Sequence, residues 1–415
     1  MEDIVVGIDV GTTKVCTLVG RIEEDSIRIL GVGIEPSAGV KKGVIVDLAA
    51  AAQTITQSVR KAEQTSGVEI TGAMVSLAGA HVSSINSRGV AGIADEVIDE
   101  TDVGRAIEAA RAVAIPHNRE IIHVIQRGFT VDGQDGISMP LGMRGYRLEV
   151  EAHIITAAQA TVENLRQCVN AAGVEVLQFV LNPLASGDVV LTDTERQMGV
   201  AVCDIGGGTT DLALYVDGHI WHTMVLAVGG NHITNDIATG LRLPLTQAEE
   251  IKKQYGFAMK SGVGVEETFS VQTFGEDQPV KISRQDLAHI IEARVEEIFA
   301  LTLQEIKRSG YDGLLPAGMV LTGGTSLLPG IRQLASRVLG LPVRTAQPEN
   351  LIGLVDQIKS PAYSTSVGLL YWAAALTEED LPASRGRKQH SGKKANPVDL
   401  GPVKDWLKRL LPTSE

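Results

Sequence analysis

Aromatic residues are scarce in this sequence, 4% of the chain, so its core must be built from Val, Ile, Leu and Ala. Cysteine is scarcer: Cys16, Cys168 and Cys203 stand far apart, and none belongs to a Cys-x-x-Cys pair. That excludes a disulfide scaffold and a cysteine-based metal site, and it predicts buried, reduced thiols in a cytosolic protein. No apolar run approaches the ~20 residues a membrane-spanning helix needs. The opening Met1-Glu2-Asp3 is acidic and lacks the basic stretch of a secretory signal. The chain has no Gly-x4-Gly-Lys-[Ser/Thr] and no Gly-x-Gly-x-x-Gly, so neither a P-loop nor a dinucleotide fingerprint is present. No Ser/His/Asp or His/Cys grouping points to other chemistry, and His81, His123 and His153 read as turn and strand residues.

What is present fits a folded α/β protein: 415 residues, 44% apolar, 21% charged, with 44 glycines. This length predicts two to four domains. The net charge of −13 is unevenly spread. Residues 384–415 hold eight Lys or Arg and three acids, which makes this tail +5 and the rest −18. An acidic body argues against nucleic acid as a partner, and a basic tail asks for its own explanation.

Two stretches share one grammar. An apolar strand ends in Asp9, Gly11-Thr12-Thr13 turns the chain, and an apolar strand returns from Val15. Almost two hundred residues later, a strand ends in Asp204, Gly206-Gly207-Gly208-Thr209-Thr210 turns the chain, and Asp211 opens the return. That offset is too wide for a solenoid repeat and suits two facing copies of one domain. Glycine frees backbone N–H groups to point at phosphate oxygens, and the Thr hydroxyls add donors. Lys14 adds a point charge. Asp9 and Asp204, at the strand ends, can hold Mg²⁺ through its water shell. Either turn alone would be ordinary; the matched pair, with Asp in the same place, is not. Two more glycine-rich loops, Gly229-Gly230-Asn231 and Gly323-Gly324-Thr325-Ser326, each follow a strand and are expected to open a helix, a setting that favours anions. Helices are predicted over residues 47–64, 162–172, 283–309 and 327–338, and strands over 220–225 and 318–322.

At this point the sequence resembles the actin, Hsp70 and sugar-kinase superfamily, whose five signatures occur in order. The two phosphate motifs resemble residues 9–14 and 204–211, and the adenosine motif resembles residues 322–326. The connecting helices resemble Asn182-Pro-Leu-Ala-Ser-Gly187 and residues 362–371, whose small residues Ala185, Ser186, Gly187, Ser364, Ser366 and Gly368 would let them cross closely. Within the superfamily the chain is most similar to the FtsA family of bacterial cell-division proteins. Val75-Ser-Leu-Ala-Gly-Ala-His81, Asn86-Ser-Arg-Gly89, Val131-Asp-Gly133 and Met139-Pro-Leu-Gly-Met-Arg-Gly-Tyr-Arg-Leu148 look like that family's own insertion. MreB and Hsp70 lack this insertion here. Gly229-Gly-Asn-His-Ile-Thr234 and Ala248-Glu-Glu-Ile-Lys252 also match the family, and the resemblance brings Glu249 and Lys252 to the ribose and purine. Asn182 stands near the place where hydrolysing relatives carry a water-orienting Glu or Gln; Asn is no general base, so at most slow ATP hydrolysis is expected.

The resemblance implies an α/β protein of actin-like ATPase fold, formed from duplicated RNase H-like domains, with two inserted subdomains and a C-terminal amphipathic helix. Domain 1A is expected at 1–83, 161–195 and 359–380, inserted domain 1C at 84–160, domain 2A at 196–228 and 306–358, and domain 2B at 229–305. Residues 381–401 read as a flexible basic linker. From Pro402 onward, Val403, Trp406, Leu407, Leu410 and Leu411 fall at i, i+3, i+4, i+7 and i+8. They form one apolar stripe flanked by Lys404, Lys408 and Arg409, suited to an anionic lipid surface. One such short helix binds reversibly, and many copies along a filament bind firmly. The implied function is an ATP- and Mg²⁺-binding protein that polymerises on the cytoplasmic face of the bacterial membrane at the division site. It would dock the C-terminal tail of FtsZ on domain 2B and recruit later division proteins. The alternatives are a small-molecule kinase or true ATPase of the same fold, and a pilus-assembly actin homologue, which is expected to lack residues 84–160.

Overall fold

The structure, a computed structural model, describes residues 4–23, 26–275, 278–349 and 351–375. The predicted linker and the apolar stripe of Val403, Trp406, Leu407, Leu410 and Leu411 lie outside these residues.

The duplicated grammar becomes two sheets of the same design. In the first half, β1 (Ile4–Val10), β2 (Lys14–Glu23) and β3 (Ser26–Pro36) form an antiparallel meander. Helix α1 (Leu48–Ser66) returns the chain to β4 (Gly72–Leu77), parallel to β1. Asp47 caps α1 by accepting from the Ala50 amide at 3.1 Å, and Gly67, at φ 70°, ends it.

An insertion then leaves the sheet. β5 (Ser83–Gly92), α2 (Glu100–Arg111), β6 (Arg119–Val131), β7 (Gln134–Ile137) and β8 (Arg147–Ala158) form a separate four-stranded antiparallel sheet in the order β5-β8-β6-β7. Buried residues of α2, among them Ala106, Ile107 and Ala110, complete its core. Helix α3 (Gln159–Asn170) and β9 (Glu175–Leu181) rejoin the first sheet beside β4.

Helix α4 (Asn182–Val190) crosses to the second half. There β10 (Val200–Ile205), β11 (Thr210–Val216) and β12 (His219–Leu226) repeat the meander. Next come α5 (Gly230–Leu241), α6 (Leu245–Tyr255), a short hairpin of Thr268–Val271 with Val280–Ser283, and the long α7 (Arg284–Ser309). β13 (Met319–Thr322), α8 (Ile331–Leu339) and β14 (Val343–Thr345) complete the sheet, with β13 and β14 parallel to β10. Helix α9 (Ser364–Ala375) returns to the first half.

The layers follow from these connections. Helices α1 and α3 cover the outer face of the first sheet, and α5, α7 and α8 cover that of the second. Helices α4 and α9 lie between the sheets, with Leu184, Leu369 and Trp372 fully buried. They cross closely: a Cβ on Gly368 would stand 2.9 Å from the Ala185 Cα. The three cysteines are buried and unpaired. Among the described residues, no helix is long and apolar enough to cross a membrane.

One expected element moves. The helix predicted over 327–338 begins only at Ile331, because Pro329 lacks a donor and Gly330 sits at φ 84°. The loop at Gly323 therefore opens a 3-10 turn, Gly324–Leu327, and not an α-helix.

Candidate functional site

The two halves face each other across a cleft of about 490 Å³. Its floor is the pair of Asp-x-Gly turns. Asp9 and Asp204 each stand one residue before the end of their strands, β1 and β10, and are 7% and 6% exposed. Both are held by neighbouring residues of α9: the Ser366 hydroxyl donates to Asp9 Oδ2 and the Thr365 hydroxyl to Asp204 Oδ2, each at 2.8 Å. One helix thus fixes the carboxylates of both halves. The turns themselves meet across the cleft, with Thr13 Oγ1 against Gly207 and Thr12 Oγ1 against Gly208, so that neither glycine has room for a side chain.

Gly11, Thr12, Thr13, Lys14, Gly206, Gly207, Gly208 and Thr209 all line the cleft. Thr210 does not: it is fully buried and donates to the Val228 carbonyl at 2.8 Å. Lys14 reaches the cleft, but its ammonium donates to the Ala362 carbonyl at 2.5 Å and lies 4.5 Å from the centre of the Tyr363 ring.

The glycine loops close the other wall. The Gly230 and Asn231 amides donate to the carbonyls of Gly206 and Gly207 at 2.9 and 2.8 Å, which locks the start of α5 onto the second turn. Gly229 lies directly beneath, its α-carbon facing three carbonyls of that turn. Gly323 has φ 83°, and a side chain there would strike Asp204 Oδ1, so only glycine serves. Gly324 and Thr325 line the cleft, and the Thr325 hydroxyl donates to the Gly206 carbonyl at 2.9 Å. Ser326 is turned away, donating to the Gly323 carbonyl at 2.7 Å.

Glu249 and Lys252 are a cleft pair, not a solvated one. Lys252 Nζ is 2.6 Å from Glu249 Oε2 and also donates to the Gly230 carbonyl at 3.1 Å and Thr234 Oγ1 at 2.9 Å. Burial works to raise the Glu249 pKa, but the charge and hydrogen bond of Lys252 outweigh it and hold the carboxylate below its usual range.

The sequence reading passed over Asp211. It lines the cleft, is 1% exposed, and stands directly opposite Asp204 across the hairpin. The first hairpin carries Cys16 at that place, opposite Asp9. Like charges directly paired across strands are unfavourable, so the Asp204–Asp211 pair is held by its surroundings. Thr209 donates to Asp211 Oδ2 at 3.0 Å, and Asn182 lines the cleft with it. Burial, then the Asp204 charge, push the Asp211 pKa well above the carboxylate range. Burial pushes Asp204 up to about 6, a shift the Asp9 charge adds to and Thr365 and Lys14 oppose. The signal was available: the step from Asp204 to Asp211 equals that from Asp9 to Cys16, so duplication marks 211 as a position facing its aspartate.

Among the described residues, no three His, Cys, Asp or Glu side chains converge on a metal site. The donor set fits an ion of another kind. Asp9 and Asp204 are buried carboxylates that repel one another, each with an oxygen not engaged by α9, as suits a hydrated Mg²⁺ that takes few protein ligands.

Duplicated meanders, facing Asp-x-Gly turns and two crossed helices at the hinge define an actin-like ATPase fold. Solved structures agree in fold. The "PilM-PilN type IV pilus biogenesis complex" has a TM-score of 0.63 at 17% identity, covering 89% of this chain and 98% of that one. "MreB5 of Spiroplasma citri bound to ADP" has a TM-score of 0.53 at 16% identity, covering 88% and 94%. In sequence, the relatives called "Cell division protein FtsA" are far nearer. That of Pseudomonas aeruginosa is 40% identical over 97% of each chain, and that of Escherichia coli K12 is 35% identical over 98% of this chain and 96% of that one. That of Bacillus subtilis is 40% identical over 90% and 84%. "Cell division protein FtsA" matches residues 201–368 as a family, and "SHS2 domain inserted in FTSA" matches residues 79–156. The chain belongs to the FtsA family of cell division proteins. Sequence identity separates this chain from the pilus-complex neighbour, 17% against 35–42% for the cell-division relatives.

Proposed function

We propose that this chain binds Mg²⁺-ATP in the cleft, assembles into filaments on the cytoplasmic face of the membrane, and anchors the FtsZ ring there. The observation that carries the nucleotide part is the mutual closure of the two turns, with Asp9 and Asp204 held by one helix. Thr12, Thr13, Gly207 and Gly208 cradle the phosphates, Asp9 and Asp204 hold the hydrated ion, and Glu249, Lys252, Gly324 and Thr325 receive the nucleoside. Held there by Asp9 and Asp204, the ion would neutralise charge on the phosphates and on these two carboxylates. MreB5, one structural neighbour, is described bound to ADP, and MamK, another at TM-score 0.51, as a double helical filament. Membrane attachment rests on the stripe of Val403, Trp406, Leu407, Leu410 and Leu411, and docking of the FtsZ tail on residues 229–305 rests on family membership.

Asp211, with Asn182 beside it in the cleft lining, is the residue proposed to orient water at the phosphate end. The protein is then a slow ATPase whose turnover is secondary to its switch between nucleotide states. Titration calorimetry with Mg²⁺-ATP tests the cleft: the wild type binds, and Asp204→Ala loses binding or its Mg²⁺ dependence. Undiminished binding by that variant would overturn the metal assignment. Flotation with anionic liposomes tests the tail, since deletion of 402–415 is expected to abolish it.

A further inference from the structure

The small hairpin of Val40–Lys41 and Val44–Ile45 belongs to the first half, yet its tip reaches the second. Its two turn residues, Lys42 and Gly43, have φ 52° and 75°. Positive φ at both positions is the type I′ arrangement, which favours Asn or Gly first and disfavours a long side chain. Lys42 occupies that place. The Gly43 amide donates to Thr12 Oγ1 of the first phosphate turn at 3.1 Å. On the other side, a methyl on Gly208 would stand 3.0 Å from the Lys42 Cα and 3.0 Å from the Thr12 Cβ. The tip is therefore one of the places where the two halves touch, beside the two glycine turns.

Lys42 stands beside the cleft, and the cations that line it are engaged. Lys14 is held by the Ala362 carbonyl and the Tyr363 ring, Lys252 by Glu249, Gly230 and Thr234, and Lys253 by Glu249 at 3.4 Å. Lys42 is exposed and makes no side-chain hydrogen bond or ion pair with another described residue. Its charge is felt at His232 in the first turn of α5, where burial first and then Lys42 lower the proton affinity of the imidazole.

We propose that Lys42 is a specificity-determining residue that contacts the terminal phosphate of a bound nucleoside triphosphate and so distinguishes triphosphate from diphosphate. The inference rests on the nucleotide reading given above. A phosphate chain that starts at the nucleoside wall and passes between the turns ends at Thr12 and Gly208. The outermost phosphate is the one that meets the hairpin tip, and a diphosphate stops short of it. An ammonium at the tip then draws the first half onto the second only when the third phosphate is present.

Lys42→Gly isolates the ammonium, because glycine suits the left-handed turn and leaves the hairpin intact. Calorimetry on the full chain with Mg²⁺-ATP and Mg²⁺-ADP gives the readout. Lys42→Gly is expected to weaken ATP binding about tenfold, as for a charge-assisted contact, while ADP binding stays within about twofold. Lys42→Arg is expected to retain most of the preference for ATP, and the wild-type preference is expected to shrink as salt is raised. Equal ATP affinity in Lys42→Gly and wild type would overturn the proposal, as would equal losses for ATP and ADP. If the wild type bound neither nucleotide, the cleft reading itself would fail and take this inference with it.

Discussion

At the scale of single residues, the cleft is a problem of crowded negative charge. Asp9, Asp204 and Asp211 are all buried, and burial first, with the neighbouring carboxylate charge adding to it, raises the pKa of Asp204 and Asp211. Only Asp211 has no counterpart in the first half, where Cys16 sits, so it is the residue that makes the two turns chemically unequal. Replacing it with Asn keeps the shape and the hydrogen bond from Thr209 but removes the carboxyl group. Asp211→Asn is expected to bind Mg²⁺-ATP within a few-fold of wild type and to release phosphate about 10²- to 10⁴-fold more slowly. Equal phosphate release by both proteins would remove Asp211 from the chemistry and leave it a structural acid.

At the scale of elements, α9 is the hinge and also the clamp. Its Thr365 and Ser366 hold one aspartate from each half, while Gly368 lets it cross α4 at backbone contact. These tasks separate by mutation. Thr365→Val removes a hydrogen bond to a charged group, worth about 1.5–3 kcal/mol, and frees Asp204 to turn. Mg²⁺-ATP affinity should fall about tenfold or more, together with a fall of a few degrees in melting temperature. Gly368→Ala acts on the crossing instead. Its methyl would collide with the backbone at Ala185, and forcing it in costs about 1–3 kcal/mol. A lowered melting temperature without nucleotide is the expected result, and an unchanged one would mean the helices can part without cost.

At the scale of the whole molecule, the inserted sheet bridges the two halves. It is continuous with the first, and it also meets β12 of the second. Ser84 Oγ donates to the Thr223 carbonyl at 3.1 Å, His153 Nε2 lies 2.9 Å from Thr223 Oγ1, and the Arg127 guanidinium stacks 3.8 Å over the Trp221 ring. His153 also reaches Asn86 Oδ1 at 2.7 Å. Burial drives the pKa of His123 and His153 down to about 3, and burial with the Arg119 charge drives that of His81 to about 4. The unfolded chain protonates these residues near 6.5. Below that pH it binds more protons than the folded state, so this part of the stability is complete above 6.5 and is lost as pH falls toward 3. Buried Asp188 and Asp204, whose pKa values are raised to about 7 and 6, act in the opposite sense, so the histidine effect is best read as a difference. His153→Gln should be less stable than wild type at pH 7, and the gap in melting temperature should narrow toward pH 5. A gap that stayed constant would mean that His153 titrates normally in the fold.

Much of this was determined by the sequence alone. The repeated Asp-x-Gly grammar sets two copies of one sheet, because a strand, a glycine turn and a return strand are local instructions. The caps at Asp47 and Ser283 are local as well, and α1 and α7 begin within a residue of the starts expected at 47 and 283. Membership of the cleft lining was legible for Asp9, Asp204, Thr12, Thr13 and the predicted glycines other than Gly229, since such loops are contiguous backbone. Tertiary structure alone decided the rest. That Thr210 and Ser326 turn away depends on which carbonyl each hydroxyl meets, and Pro329 with Gly330 shifts α8 beyond the loop that was to open it. That Thr365 and Ser366 hold aspartates more than 150 positions away, and that Lys42 abuts Gly208, are long-range facts. No local pattern encodes them, because they exist only once the two halves have closed on one another.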